Sequence, residues 1–172
     1  MRAVLISIRP EWVEKILAGE KTLEVRKNRP NMETPFKCYI YCTNNGGRLA
    51  NRDAYLNGKV AAEFVCDTFF PIQIECNAPA AFGAGIAVPG TCLTDRKILE
   101  YLGNGKRGFA WHISNLKIYD TPKVLSKFRR ICDKGCRCEG CARYWGNGGN
   151  CGIDSLRIKR PPQSWCYVEE LK

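Results

Sequence analysis

Three charged side chains, those of Lys21, Glu24 and Arg26, lie close together in the segment 19–26. An ammonium, a carboxylate and a guanidinium held within one strand length can grip a phosphate group or the edge of a base. The alternative is an exposed strand with ordinary, weak ion pairs. If the segment were catalytic, Lys21 and Glu24 would handle the protons, but a lysine nucleophile needs a pKa well below its free value of about 10.4. A neighbouring carboxylate opposes that shift, so these residues favour binding over catalysis.

Strand alternation predicts where each side chain of residues 22–26 points. In an extended chain Leu23 and Val25 face the core, while Thr22 shares the opposite face with the glutamate and the arginine. Lys21 belongs to the turn before this strand, so we expect it at the lip of a cleft. Thr22 is therefore a further candidate ligand-binding residue.

The neighbouring elements are needed to position this segment. Residues 3–8 are apolar enough for a buried strand, Pro10 suits the first turn of a helix over 10–18, and Gly19 is a suitable stop for that helix. The pattern predicts a single-domain α+β fold, a small mixed β-barrel with a few short helices. Further strands are expected at 36–43, 59–67, 108–119 and 164–168, with a helix near 95–102.

Two other segments are predicted to lack long regular elements. Residues 71–93 are rich in proline and glycine, which predicts a long loop of the kind that often covers a site. Pro122 begins a short basic segment that leads into a cysteine-rich insertion at about 132–151, before the last strand. The insertion therefore interrupts the domain and does not end it.

The charge balance points to an anionic partner. The chain has 172 residues, with 27 Lys plus Arg against 17 Asp plus Glu, which gives a formal charge of +10. Such a surplus favours polyanions such as nucleic acid, and the alternative is that it only maintains solubility. Basic residues cluster at 127–130 and 157–160, which favours a patch. No apolar run is long enough to span a bilayer or form a signal-peptide core, so we expect a cytoplasmic protein without membrane contact.

Single residues outside the segment 19–26 are further candidates for ligand binding. Arg9 and Arg160 precede prolines, whose stiff backbone would position the guanidinium groups for phosphate oxygens. Trp111 is the preferred base-stacking residue, because a glycine three positions earlier leaves open backbone, and Tyr41 is the second choice. Core packing is the alternative for both rings. His112, the one histidine in the sequence, is either hydrogen-bonded in a structural role or available for proton transfer.

The cysteines indicate a metal site. There are 11, an odd number, and five of them crowd one segment without an export signal, which favours reduced thiols over disulfides. Cys138 and Cys141 have a spacing that lets two thiolates bind one zinc ion at about 2.3 Å, and a site of four thiolates is structural because it leaves no position for water. The alternative is that the thiols bind no metal. An exposed loop of this kind can also bind a protein partner. The zinc ligands are expected to be four of Cys132, Cys136, Cys138, Cys141 and Cys151.

The motif also carries a family resemblance. Gly19, Lys21, Glu24 and Arg26 in G-x-K-x-x-E-x-R spacing, after a strand and a helix that contains Trp12, resemble the ASCH domain of the PUA-like superfamily. Residues 108–113 and 160–171 extend the resemblance to small ASCH or PUA-like proteins of gut bacteria and their phages. The resemblance implies a PUA-like β-barrel with a cleft beside the motif, which binds RNA or a modified nucleotide.

One hydrolytic branch of the family provides the alternative function. Members of this branch look like amidohydrolases: they use a lysine, a threonine three residues later and a separate glutamate to remove an acyl group from a modified cytidine. This chain has Lys21 but carries Glu24 at the threonine position. Binding is therefore the preferred function, and the alternative is a hydrolase that acts on RNA or a modified nucleoside as a ribonuclease or amidohydrolase.

Overall fold

Mixed β-structure with two helices makes up most of the computed structural model, which describes residues 1–44, 56–73, 89–103, 107–131 and 156–171. A short 3₁₀ turn, Leu125–Lys127, follows the longest strand. The elements in chain order are β1 (Arg2–Ile8), α1 (Pro10–Leu17), β2 (Leu23–Arg26), β3 (Phe36–Cys42), β4 (Lys59–Cys66), β5 (Phe69–Gln73), α2 (Asp95–Leu102), β6 (Arg107–His112), β7 (Ser114–Val124) and β8 (Trp165–Glu169).

The strands form two sheets. The larger has the order β7-β4-β3-β1-β8, and the smaller has the order β2-β6-β5. In the larger sheet β1 runs parallel to β3 and antiparallel to β8, with Val4 opposite both Cys38 and Tyr167. In the smaller sheet Glu24 lies opposite Trp111. The motif segment therefore reaches the fold as an edge strand paired with β6.

Apolar side chains pack on both faces of the larger sheet. One face carries Val4, Ile6 and Ile8 against the fully buried Trp111. The outer face carries Leu5 and Tyr39 and is covered by Phe128 and Ile158. A third, smaller cluster joins the smaller sheet to α2. The alternation of β1 between the two faces explains why its residues 3–8 are all buried.

The sequence-based elements agree with the structure at most positions. Strands β1, β3, β4 and β8 and both helices occur where they were predicted, and the mixed α+β class is confirmed. Closure into a barrel stays a prediction. No helix in the described ranges has the length and apolar character needed to cross a membrane.

Two prolines misled the prediction of strands. Pro71 lies inside β5, although the loop was expected to begin there, and Pro122 lies inside β7, although a new segment was expected to start with it. Both strands are sheet edges. A proline is tolerated at an edge because its missing N–H can face away from the neighbouring strand. Residues 74–88 make up the greater part of the loop that was expected to cover a site, and they lie outside the described residues.

The single strand predicted over 108–119 is in fact two strands. β6 belongs to the smaller sheet and β7 to the larger, and the chain changes sheets at Ile113. Asn115, at the start of β7, has a positive φ of 48°, a conformation that asparagine adopts more readily than most residues. Hydrophobic alternation continues through this point, so it cannot show which sheet each residue joins.

Candidate functional site

A cavity of about 700 Å³ opens beside the charged motif. It lies where β2 meets the start of α1, the outward side of α2 and the chain just before β8. Four of its lining side chains are cationic and three are anionic. Its lining residues are Ser7, Ile8, Arg9, Glu11, Trp12, Lys21, Glu24, Val25, Arg26, Thr43, Leu93, Lys97, Glu100, Tyr101 and Gln163.

The turn before β2 is held from two sides. Gly19 has a φ of +76°, which ends α1, and the N–H of Lys21 then donates to the carbonyl of Lys15 at 3.0 Å. The N–H groups of Thr22 and Leu23 both donate to the carbonyl of Gly90, at 2.8 and 3.0 Å. These backbone hydrogen bonds fix the point at which the motif enters the sheet.

Lys21 is buried beneath the cavity and not at its lip, where it was predicted. The residue is 2% exposed. Its Nζ donates to the carbonyls of Leu23 and Thr91, at 2.6 and 2.7 Å, and lies 3.3 Å from Oε2 of Glu24. An ammonium has three donors, and these three contacts use all of them. Lys21 therefore supports Glu24 from below and does not present a donor to a ligand.

Glu24 is held between two cations. Its Oε1 lies 3.0 Å from NH2 of Arg26, and its other oxygen faces Lys21. Arg26 also donates from NH2 to the carbonyl of Ser7 at 2.5 Å and from NH1 to Oγ of Ser164 at 3.3 Å. Among the described residues, its Nε has no hydrogen-bond partner. The result is a buried Lys–Glu–Arg chain, fixed to β1 and to the start of β8, with its carboxylate on the cavity side.

The aromatic and cationic walls of the cavity come from the two helices. Nζ of Lys97 lies 5.0 Å from the centre of the Trp12 ring, and Nζ of Lys21 lies 5.7 Å from it. Tyr101 is 38% exposed and lies one helical turn from Lys97, next to Glu100. Lys97 and Tyr101 were missed in the sequence, although their i, i+4 spacing places them on one face of a helix. What the spacing could not show is that this face looks onto the motif.

Comparisons with known proteins show what the chain resembles in sequence and in fold. Residues 6–55 match the family model of the ASCH domain. The match covers 50 of the 172 residues, so the sequence is similar to this family over less than a third of its length. The crystal structure of ASCH from Zymomonas mobilis is similar, with a TM-score of 0.56 and 15% identity over 98% of this chain and 88% of that one. No curated protein matches the chain.

Two variants of the Zymomonas mobilis protein give the same likeness in fold. A Tyr-to-Phe mutant matches with a TM-score of 0.57 and 14% identity, covering 98% of this chain and 91% of that one. A Ser-to-Ala mutant matches with a TM-score of 0.58 and 14% identity, covering 98% and 89%. The predicted ASCH resemblance is therefore confirmed, and the fold it implies extends well beyond the matched segment.

Three of the predicted ligand-binding residues lie away from the cavity. Trp111 is 0% exposed and packs against Phe36 and Trp165, so the expectation that it stacks on a base is wrong. Tyr41 is buried on the outer face of the larger sheet. Thr22 is exposed, with its hydroxyl beside Gly90 and not in the cavity lining. The open backbone expected near Trp111 is filled by a side chain from α2.

His112 pairs with a carboxylate and not only with backbone. Its Nδ1 lies 2.7 Å from Oδ1 of Asp67, and both side chains are more than one third exposed. Slight burial raises the pKa of Asp67, but the hydrogen bond and charge of His112, together with a hydrogen bond from Ser114, lower it overall. His112 is not among the residues that line the cavity.

The two predicted arginines differ in position. Arg9 is exposed, lines the cavity and precedes the first turn of α1. Arg160 is exposed but lies three residues before Gln163, which does line the cavity. Arg9 therefore belongs to the rim, and Arg160 to the surface next to it.

The predicted metal site lies outside the described residues. All five of its cysteines, and the loop suggested for protein docking, fall within the range 132–155. In the ranges that the structure describes, no three His, Cys, Asp or Glu side chains come together as a metal site would require.

Proposed function

We propose that this protein binds RNA, with one base or modified base held in the cavity beside the motif. The observation that carries the proposal is the buried Lys21–Glu24–Arg26 chain, which presents a fixed carboxylate to a cavity that also exposes Trp12. ASCH is a PUA-like family associated with RNA binding and processing, which supports this class of ligand. The formal charge of +10 supports it as well.

The lining favours a nucleotide over a simple anion. A carboxylate offers about four lone-pair sites, so Glu24 can accept from the amino or imino group of a base while Lys21 and Arg26 hold it in place. A bare phosphate would be repelled by the same carboxylate. The Trp12 ring, with Nζ of Lys97 beside it, is the aromatic surface in the cavity on which the base would stack, and Arg9 at the rim offers a donor for the adjoining phosphate.

The test is binding of labelled RNA by wild type and by two aromatic variants. Single-stranded RNA of mixed sequence, labelled with fluorescein, is titrated by anisotropy at low and at physiological salt. Loss of one stacked base weakens binding by about 1–3 kcal/mol, so Trp12→Leu should raise the Kd roughly tenfold. Phe70→Leu is the matched control, because Phe70 is 46% exposed and is not part of the cavity.

Two results would contradict the proposal. One is no binding by wild type even at low salt, and the other is the same change in Kd for both variants. The RNA recovered from the titration also tests the ribonuclease form of the hydrolase alternative, because intact RNA shows that no strand cleavage occurred. The three contacts around Lys21 favour a supporting role over nucleophilic attack.

We also propose that the cysteine-rich segment binds one structural zinc ion, an inference from spacing alone. Elemental mass spectrometry of the purified protein should give about one zinc per chain. The double variant Cys138→Ser/Cys141→Ser should lose the metal, while Cys92→Ser/Cys166→Ser, at two described thiols outside that segment, should keep it. Zinc-free wild type, or full retention in both variants, would refute this.

A further inference from the structure

The two basic clusters, far apart in sequence, lie side by side in the structure. Arg129 and Arg157 form an isolated antiparallel bridge. The N–H of Arg130 donates to the carbonyl of Leu156 at 2.8 Å, and the N–H of Ile158 donates to the carbonyl of Phe128 at 3.0 Å. We call the six basic residues joined in this way the basic track: Lys127, Arg129, Arg130, Arg157, Lys159 and Arg160.

Two apolar residues within the basic clusters pack against the larger sheet and anchor the basic track to it. Phe128 is 0% exposed and Ile158 is 2% exposed, and both pack on the outer face of the larger sheet. The Phe128 ring lies 4.9 Å from that of Tyr39, measured between centroids. Each cluster therefore buries one apolar side chain, and the charged neighbours are exposed except for the half-buried Arg129. Arg129 and Arg157 take part in other interactions, so the argument relies on the exposed Lys127, Arg130, Lys159 and Arg160.

The basic track leads to the rim of the cavity. Beyond Arg160 the carbonyl of Pro162 accepts a hydrogen bond from Oγ of Ser7 at 2.7 Å, and Gln163 lines the cavity. An extended chain advances at most about 3.6 Å per residue, so Arg157 lies no more than about 22 Å from Gln163. By the same measure Arg160, the last residue of the basic track, lies no more than about 11 Å from Gln163.

Lysines lie beside one end of the basic track. Burial lowers the pKa of Lys123, Glu63 acts against this, and the positive charges of Lys117, Lys127 and Lys37 lower it further. Lys127 therefore lies close enough to Lys123 for the two charges to repel each other. Glu63 and Glu170, on the same face, are already paired with Lys37, at 3.7 and 2.9 Å.

We infer that the basic track binds the backbone phosphates of the same RNA strand whose base occupies the cavity. This rests on the proposed function and extends it, because it assigns a path to the strand. Phosphate contacts position a nucleic acid without reading its sequence, and each one releases a counterion. The cavity then selects the base, and the basic track adds affinity that depends on salt and on the length of the strand.

The experiment removes one exposed charge from each cluster. The double variant Arg130→Gln/Arg160→Gln is compared with Lys15→Gln/Arg107→Gln, which removes two exposed or half-exposed charges elsewhere. Both are titrated with fluorescein-labelled single-stranded RNAs of three and ten nucleotides over a range of salt. For single strands the salt slope falls by about 0.7 per lost phosphate contact, so the first variant should lose about 1.4. It should also bind the ten-nucleotide RNA about tenfold more weakly at physiological salt and the three-nucleotide RNA nearly as well as wild type.

The outcomes separate this inference from the proposed function. If wild type binds neither RNA, the proposed function itself fails. If wild type binds but Arg130→Gln/Arg160→Gln keeps its salt slope and its length dependence, the basic track does not contact RNA and serves another partner, such as an acidic protein. Equal losses in both double variants would show an effect of net charge only, which also overturns the inference.

Discussion

Lys21 shows how burial changes the role of a charged residue. In the sequence it resembles a ligand-facing ammonium, but in the structure it lies under Glu24 and makes three contacts within the protein. Removing one partner of a buried ion pair is strongly destabilising, because the remaining charge is left without compensation. The contribution of Lys21 to binding is therefore indirect, through the position of Glu24.

At this scale we expect Lys21→Met to lower the free energy of unfolding by about 3 kcal/mol. The control is Lys15→Met, which breaks the Lys15–Glu20 pair, with side chains 43% and 58% exposed, and should cost less than about 1 kcal/mol. Urea denaturation measures both. The double variant Lys21→Met/Glu24→Gln should recover part of the loss, since it removes the negative charge that Lys21 balanced while an amide oxygen can still accept from Arg26. Equal losses for the two lysine variants would show that the pair at Glu24 is no stronger than a surface pair.

Helix α2 reaches the cavity because β6 has a glycine beneath it. A Cβ at Gly108 would lie 2.6 and 2.8 Å from the two Cδ atoms of Leu102, and 3.1 Å from the carbonyl oxygen of Arg26. Leu102 therefore fills the space that any other residue at 108 would need. This close approach lets α2 pack on the smaller sheet and present Lys97 and Tyr101 to the motif.

For this element we expect Gly108→Ala to destabilise the fold by about 1–3 kcal/mol, as overpacking of a core does. Leu102→Val removes both Cδ atoms and so makes room for a Cβ at position 108. The double variant Gly108→Ala/Leu102→Val should therefore lose less unfolding free energy than the two single variants lose together. The unfolding free energies of wild type, the two single variants and the double variant, measured by thermal or urea denaturation, give the coupling energy between the two positions. Strict additivity would mean that the contact between α2 and β6 is not tight.

The outer face of the larger sheet joins distant parts of the chain through one polar network. Tyr119 on β7 donates to Oε2 of Glu63 on β4 at 2.5 Å, and Lys37 on β3 contacts Glu170 at 2.9 Å. Burial raises the pKa of Tyr119, and its hydrogen bond to Glu63 raises it further. The hydrogen bond to Glu170 raises the pKa of Lys37, against the effect of burial. Both groups thus keep their protons more tightly in the folded protein.

For the whole molecule we therefore expect stability to fall as pH rises. From about pH 10 upward the unfolded chain releases protons that the folded chain retains, so each such group contributes a loss of at most about 1.4 kcal/mol per pH unit. Tyr119→Phe should make this alkaline loss less steep. Tyr101→Phe, at an exposed ring, should leave the slope unchanged. Urea midpoints between about pH 8 and pH 11 test this, and identical slopes for wild type and Tyr119→Phe would contradict it.

Local patterns in the sequence predicted much of the fold. The apolar run 3–8, Pro10 and Gly19 were sufficient for β1 and α1, because burial and helix ends depend on neighbours in the chain. Pro71 and Pro122 misled the prediction because whether a strand lies at a sheet edge is set by tertiary structure. The change of sheet at Ile113 was missed for the same reason.

The site was harder to predict than the fold. Alternation correctly set Leu23 and Val25 in an apolar cluster, with Glu24 and Arg26 on the side of the cavity. The depth of Lys21 could not be foreseen, since it depends on the carbonyl of Thr91, 70 residues away. Nor could the sequence show that α2 forms a wall of the cavity.

The bridge between Arg129 and Arg157 has a consequence for the history of the chain. It holds Ile131 and Leu156, the ends of a long connection, next to each other by backbone hydrogen bonds that depend little on the residues between them. The entropic cost of closing a loop grows slowly with its length, by only about 0.6 kcal/mol for each doubling. We therefore expect insertions and deletions between these two residues to leave the sheet and its cavity intact.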